Sequence, residues 1–216
     1  VNGRDLKVWN DYIYVAWRHL YVGSGTKPFC VTKYKMSTGI ADWDKFYPLV
    51  GLGTPDVHSG SQQAVMSLDI DNTGNAYLTG YYGDANYGPE NWGIVKLNSS
   101  NGNVIFEKTI AEDTVKYNNL SVGMAACVIN NKAYFVGELE TYFVNYYERE
   151  KLTMVRLNEN TGSLIFKKYL GGSFQFPSKT LDIQRYSNSK TLVMKQTGRF
   201  VEVEMYDFSK ILLWKK

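Results

Sequence analysis

One pattern recurs four times along the chain and restricts the fold more than any other feature. Residues 31–39 read Val-Thr-Lys-Tyr-Lys-Met-Ser-Thr-Gly, and Trp43 follows four residues after the glycine. Residues 94–102 read Ile-Val-Lys-Leu-Asn-Ser-Ser-Asn-Gly, with Phe106 at the same offset. Residues 154–162 read Met-Val-Arg-Leu-Asn-Glu-Asn-Thr-Gly, with Phe166 at that offset. A degraded copy runs over 203–210, ends on Lys210 instead of glycine, and is followed by Trp214. A second shared stretch precedes each copy, over 11–15, 74–80, 131–137 and 189–193, and a third precedes that, over 5–9, 64–70, 124–129 and 181–186.

Each unit reads as strand A, hairpin, strand B, longer loop, strand C, glycine turn, strand D. Strand C alternates apolar and charged residues, as in Ile94-Val95-Lys96-Leu97, which is the period of a strand between two environments. A glycine after a polar residue, as at Gly102 and Gly162, supplies the positive φ that a tight hairpin needs. No window carries helical periodicity with caps. Four units of four strands predict an all-β fold, a β-propeller of four four-stranded antiparallel blades. It would be a closed four-blade disc or an arc of a larger propeller. The blades fall at about 4–50, 62–111, 121–171 and 178–216, in a single domain. Trp43, Phe106, Phe166 and Trp214 are expected as wedges between neighbouring blades.

Residues 69–80, Asp-Ile-Asp-Asn-Thr-Gly-Asn-Ala-Tyr-Leu-Thr-Gly, resemble the D-x-x-G-N-x-Y-x-T-G signature of the β-propeller repeats called SBBP. The stretch 94–102 resembles the continuation found in those repeats and in their quinoprotein-like relatives. The match is strongest in the second unit and poorest in the fourth. The resemblance implies a propeller, often secreted or on the cell surface, and no single activity.

Candidate chemistry is sparse. Cys30 and Cys127 fall in different, non-adjacent units with no C-x-x-C spacing, so two buried thiols are expected and no disulfide. His19 and His58 are the two histidines, too few for a clustered zinc site. No G-x-S-x-G elbow is present. Gly51, Gly53, Gly171 and Gly172 have no helix after them and make no phosphate loop. Asp69 and Asp71, followed by Thr73 and Gly74, have the spacing that opens a calcium loop, but the same residues suit a hairpin turn. No cofactor is expected.

The B–C and D–A loops would share one face, and they are rich in rings. With 17 Tyr, 10 Phe and 5 Trp, Tyr82, Tyr87, Trp92, Tyr142, Tyr146 and Tyr147 stand out as a recognition surface for a protein or glycan partner, or for other copies of the chain. Asn98 and Asn119 begin N-x-[ST] sequons in predicted turns, candidate glycan sites in a secreted protein. A formal net charge of +3 gives no basic stripe for nucleic acid, and no apolar run is long enough for a membrane span. The chain begins at Val1, which reads as a processed or excised end. Together these features predict a non-enzymatic interaction or assembly module, secreted or on the cell surface. The alternatives are a propeller enzyme, a cofactor-binding quinoprotein-like domain, or a lectin.

Overall fold

The computed structural model describes residues 2–18, 29–47, 62–83, 91–110, 121–141, 149–171, 178–187, 190–197, 200–207 and 212–215. Among them every regular element is a strand. The first sheet holds β1 (Asn2–Trp9), β2 (Tyr12–Arg18), β3 (Phe29–Lys35) and β4 (Ala41–Tyr47). The second holds β5 (Gln62–Ile70), β6 (Ala76–Gly83), β7 (Asn91–Leu97) and β8 (Val104–Ile110). The third holds β9 (Val122–Ile129), β10 (Lys132–Thr141), β11 (Arg149–Leu157) and β12 (Leu164–Gly171). The fourth holds β13 (Ser178–Ser187), β14 (Lys190–Thr197), β15 (Phe200–Asp207) and β16 (Leu212–Lys215). Strands pair antiparallel in chain order within each sheet. The fold is therefore a β-propeller of four four-stranded blades.

The repeat fixes the register. Lys33 lies opposite Trp43, Lys96 opposite Phe106, Arg156 opposite Phe166 and Met205 opposite Trp214. The C–D turns close through backbone bonds such as Gly102 N–H to the Asn98 carbonyl, 2.9 Å, and Gly162 N–H to that of Asn158, 2.9 Å. Gly39, Gly102 and Gly162 have φ of 68°, 68° and 69°, the left-handed region that a Cβ disfavours.

The core lies between blades. Tyr14, Ala16, Val31 and Trp43 of the first blade pack against Leu68, Leu78, Val95 and Leu97 of the second. Tyr77, Ile94 and Phe106 pack against Ala126, Phe135 and Leu157 of the third. Cys127, Tyr134, Val136 and Phe166 pack against Ile183, Val193 and Tyr206 of the fourth. A blade is thus apolar on both faces, as a sheet stacked on each side must be. The first strands also touch in succession, β1 on β5, β5 on β9 and β9 on β13, so they form the inner lining about which the blades turn.

Candidate functional site at the inner strands

Three sets of polar side chains sit in the seams between blades. At the outer side, the Lys33 ammonium donates to the Asp42 carboxylate at 2.7 Å and to the Ser99 carbonyl of the next blade at 2.8 Å. It lies 3.8 Å from the centre of the Tyr12 ring. Trp43 Nε1 donates to the same Ser99 carbonyl at 3.1 Å. One blade further on, Lys96 donates to the Glu159 carbonyl at 2.8 Å. Both lysines are buried, a position that needs such charge-assisted bonds.

The second set is the A–B hairpin of the second blade. Asp71 Oδ1 accepts from the Thr73 amide (3.0 Å), the Thr73 hydroxyl (2.7 Å) and the Asn75 amide (2.9 Å), and Oδ2 accepts from Asn75 Nδ2 (3.0 Å). Lys96 is 3.5 Å away. Burial raises the proton affinity of this carboxyl, but the bonds from Thr73 and Asn75 outweigh it and the pKa falls below the ordinary 3.8. These are the bonds of a hairpin turn, the second of the two readings that the spacing allowed. Among the described residues no group of three or more His, Cys, Asp or Glu side chains is placed to hold a metal ion.

The third set lies on the inner strands. Asp5 Oδ2 accepts from the Ser67 hydroxyl and the Leu68 amide, each at 2.9 Å. Asp69 Oδ2 accepts from the Val128 amide at 2.6 Å. Desolvation pushes the Asp69 pKa up, and Asp5 adds to this; the amides of Val128 and Ile70 and the charge of Lys7 work in the other direction. Asp69 is only partly buried, so a carboxyl with raised proton affinity sits on the inner lining, coupled to a second carboxylate and an ammonium. Asp5 reaches into the second blade and Asp69 into the third, and a carboxyl of raised proton affinity such as Asp69 is a candidate for acid–base work.

Lys7, Asp69 and Cys127 hold one equivalent place, opposite Tyr14, Tyr77 and Tyr134. That place changes from cation to anion to thiol while the facing tyrosine stays. Aligning the repeats by the tyrosine would have exposed this signal; reading Asp69 as half of a calcium loop concealed it. The seam lysines were likewise visible only as alternating charge on strand C.

The ring-rich recognition surface needs correction at two places. Tyr82 is a strand residue in β6, 5% exposed, with its hydroxyl 2.7 Å from that of Thr109. Trp92 is in β7, fully buried, and its Nε1 donates to the Thr79 hydroxyl at 2.7 Å. Both rings lengthen the blade and pack inside it, because the strands extend further into the B–C segment than the turn residues suggested. Tyr87, Tyr142, Tyr146 and Tyr147 lie outside the described residues, as do His19, His58 and Asn119. Asn98 lies in the C–D turn, where its Oδ1 accepts from the Ser100 amide (2.8 Å) and hydroxyl (2.6 Å). Cys30 and Cys127 are buried thiols.

No known family description matches the chain, and no curated protein matches it. Solved structures do. The whole chain superposes on 35% of a quinohemoprotein alcohol dehydrogenase from Comamonas testosteroni, with TM-score 0.64 and 8% identity. It superposes over its full length on 48% of an exo-β-1,3-galactanase from Clostridium thermocellum, with TM-score 0.60 and 12% identity. In quinohemoprotein alcohol dehydrogenase ADHIIG from Pseudomonas putida HK5, 98% of the chain covers 34% of that protein, with TM-score 0.55 and 10% identity. The chain thus spans about a third of the length of the two dehydrogenases and about half that of the galactanase. At these identities the likeness is one of fold.

The expectation of a non-enzymatic module is overturned here, since the structures named above, which share the fold over all or nearly all of the chain, are enzymes. The physical reason lies in the architecture. A propeller assembles a site from side chains on separate blades, so the lack of a contiguous catalytic motif is no sign that chemistry is missing.

Proposed function

We propose that the chain forms all or part of a propeller enzyme that hydrolyses glycosidic bonds. In this reading the reaction lies at the inner strands, with Asp69 as the proton donor and Asp5 as the second carboxylate. The carrying observation is the Asp69 carboxyl, on an inner strand and partly exposed, with its pKa raised chiefly by burial. Glycoside hydrolysis asks for a carboxyl that keeps its proton and a companion carboxylate across the scissile bond. The whole-length likeness to an exo-β-1,3-galactanase supports the choice of substrate class. The finer kinship, to SBBP-type repeats within the quinoprotein-like propellers, rests on the stretch 69–80 and is part of the same proposal.

The test is a panel of aryl glycosides and soluble β-linked galactans and arabinans, assayed with the wild type, Asp69→Asn and Asp5→Asn. Release of reducing sugar by the wild type is expected, with kcat down by about 100-fold or more in Asp69→Asn. Thermal melts of the three proteins separate lost chemistry from lost fold. Absence of turnover on the whole panel, together with alcohol-dependent reduction of an artificial electron acceptor, would assign the chain to redox chemistry instead.

A further inference from the structure

The two end blades are open in a way that the inner seams are not, and their open faces match. Leu6, Leu68 and Ala126 hold one equivalent place, opposite Val15, Leu78 and Phe135. Leu68 and Ala126 are 0% and 4% exposed because the preceding blade covers them, whereas Leu6 is 52% exposed. Val8 and Val128 are likewise equivalent, opposite Ile13 and Ala133, and are 57% and 8% exposed.

The other end shows the complementary case. Ala16, Thr79, Val136 and Met194 are equivalent, opposite Val31, Ile94, Met154 and Val203. The first three are fully buried under the following blade, and Met194 is 37% exposed. The turn glycines agree. A Cβ on Gly102 would meet Trp43 at 2.9 Å and one on Gly162 would meet Phe106 at 2.5 Å, while around Gly39 nothing lies within 4 Å. The seat for a ring from a preceding blade is built in the first blade, and no described residue fills it.

The fourth blade is also adapted to an apolar seam. At the place of Lys33, Lys96 and Arg156 it has Met205, 6% exposed, opposite Trp214. Met205 is already covered within the chain, so the open face of the fourth blade is marked by Met194, and no ammonium stands at the strand-C place beside it. Both faces are exposed at once in a single chain, so the chain's own fourth blade does not cover its first. A surface built like the inner seams and left bare on both ends fits a second molecule of the same kind, joined head to tail.

We propose that the exposed face of the first blade, around Leu6 and Val8, docks the fourth blade of a second copy of this chain, at its Met194 face. The contact is heterologous, and it closes into a ring when the arcs together complete a turn and otherwise extends as a filament. It is independent of the catalytic reading above.

Sedimentation over a range of concentrations tests it, using the wild type, Leu6→Asp, Met194→Asp and an equimolar mixture of the two variants. Val8→Lys serves as a second probe of the first face. The wild type is expected to sediment at twice the chain mass or more, and each variant to lose about 30-fold or more in affinity. The mixture is expected to regain association, because Leu6→Asp keeps its Met194 face and Met194→Asp keeps its Leu6 face. Circular dichroism should show all chains folded, since both side chains are solvent-exposed in the single chain. A wild type that is monomeric throughout would overturn the proposal and leave a blade from elsewhere in a longer chain as the occupant. Unchanged association in folded Leu6→Asp or Val8→Lys, or a mixture that stays monomeric, would also overturn it.

Discussion

The Lys33 ammonium of the first blade donates a 2.8 Å hydrogen bond to the Ser99 carbonyl in the C–D turn of the second. Lys96 repeats the contact on the Glu159 carbonyl of the third blade, also at 2.8 Å. The cation on strand C thus ties each of these blades to the next. The ring opposite it on strand D fills the space beside the tie.

Replacing Lys33 with Met removes this tie while keeping the apolar stem. The Ser99 carbonyl keeps the Trp43 Nε1 donor, and Asp42 is 39% exposed and can rehydrate. The loss is therefore about 1–2 kcal/mol rather than the full cost of an orphaned buried group. Denaturant unfolding should show the midpoint falling with the slope unchanged.

Gly102→Ala and Gly39→Ala form a matched pair. Both glycines have φ of 68°, so each alanine bears the same left-handed strain, about 1–2 kcal/mol. At Gly102 the new Cβ would also press on Lys45 Cγ at 2.8 Å and Trp43 at 2.9 Å, whereas at Gly39 it meets no described residue within 4 Å. Gly102→Ala should be the more destabilising by about 1–3 kcal/mol. Measured on the Leu6→Asp background, where the first-blade face stays uncovered, equal melting temperatures for the two variants would contradict the seam geometry.

Acid stability should depend on Asp71. Its folded pKa lies below the ordinary 3.8. The native state therefore binds fewer protons than the unfolded chain across that interval. The resulting stability is present above about pH 4 and is lost as pH falls through the lower, folded value. Asp71→Asn should flatten the acid side of the stability curve and leave the slope near neutrality unchanged.

Much of this architecture is legible in the sequence. The glycine at a fixed distance before a ring marks the C–D turns, and Gly39, Gly102 and Gly162 take the positive φ that the spacing demands. Trp43, Phe106 and Phe166 are buried between blades. The site is far less legible. Asp5 and Asp69 are 64 positions apart in number yet lie on adjacent inner strands, and no local motif announces a pair made by stacking two sheets. Tyr82 and Trp92 misled for the opposite reason. Ring composition alone cannot tell a loop from a strand that extends past its turn signals, and the Trp92–Thr79 hydrogen bond is a product of packing.

The most direct measurement is the pH dependence of kcat/KM for glycoside hydrolysis by the wild type and by Asp69→Asn. Burial raises the Asp69 pKa above its ordinary value, so on the proposed assignment activity falls as pH rises through the folded value. The wild type should show that alkaline limb, and Asp69→Asn should lose it together with about 100-fold or more of the rate. An Asp69→Asn profile superposable on that of the wild type, or a wild type without hydrolytic turnover at any pH, would contradict the assignment.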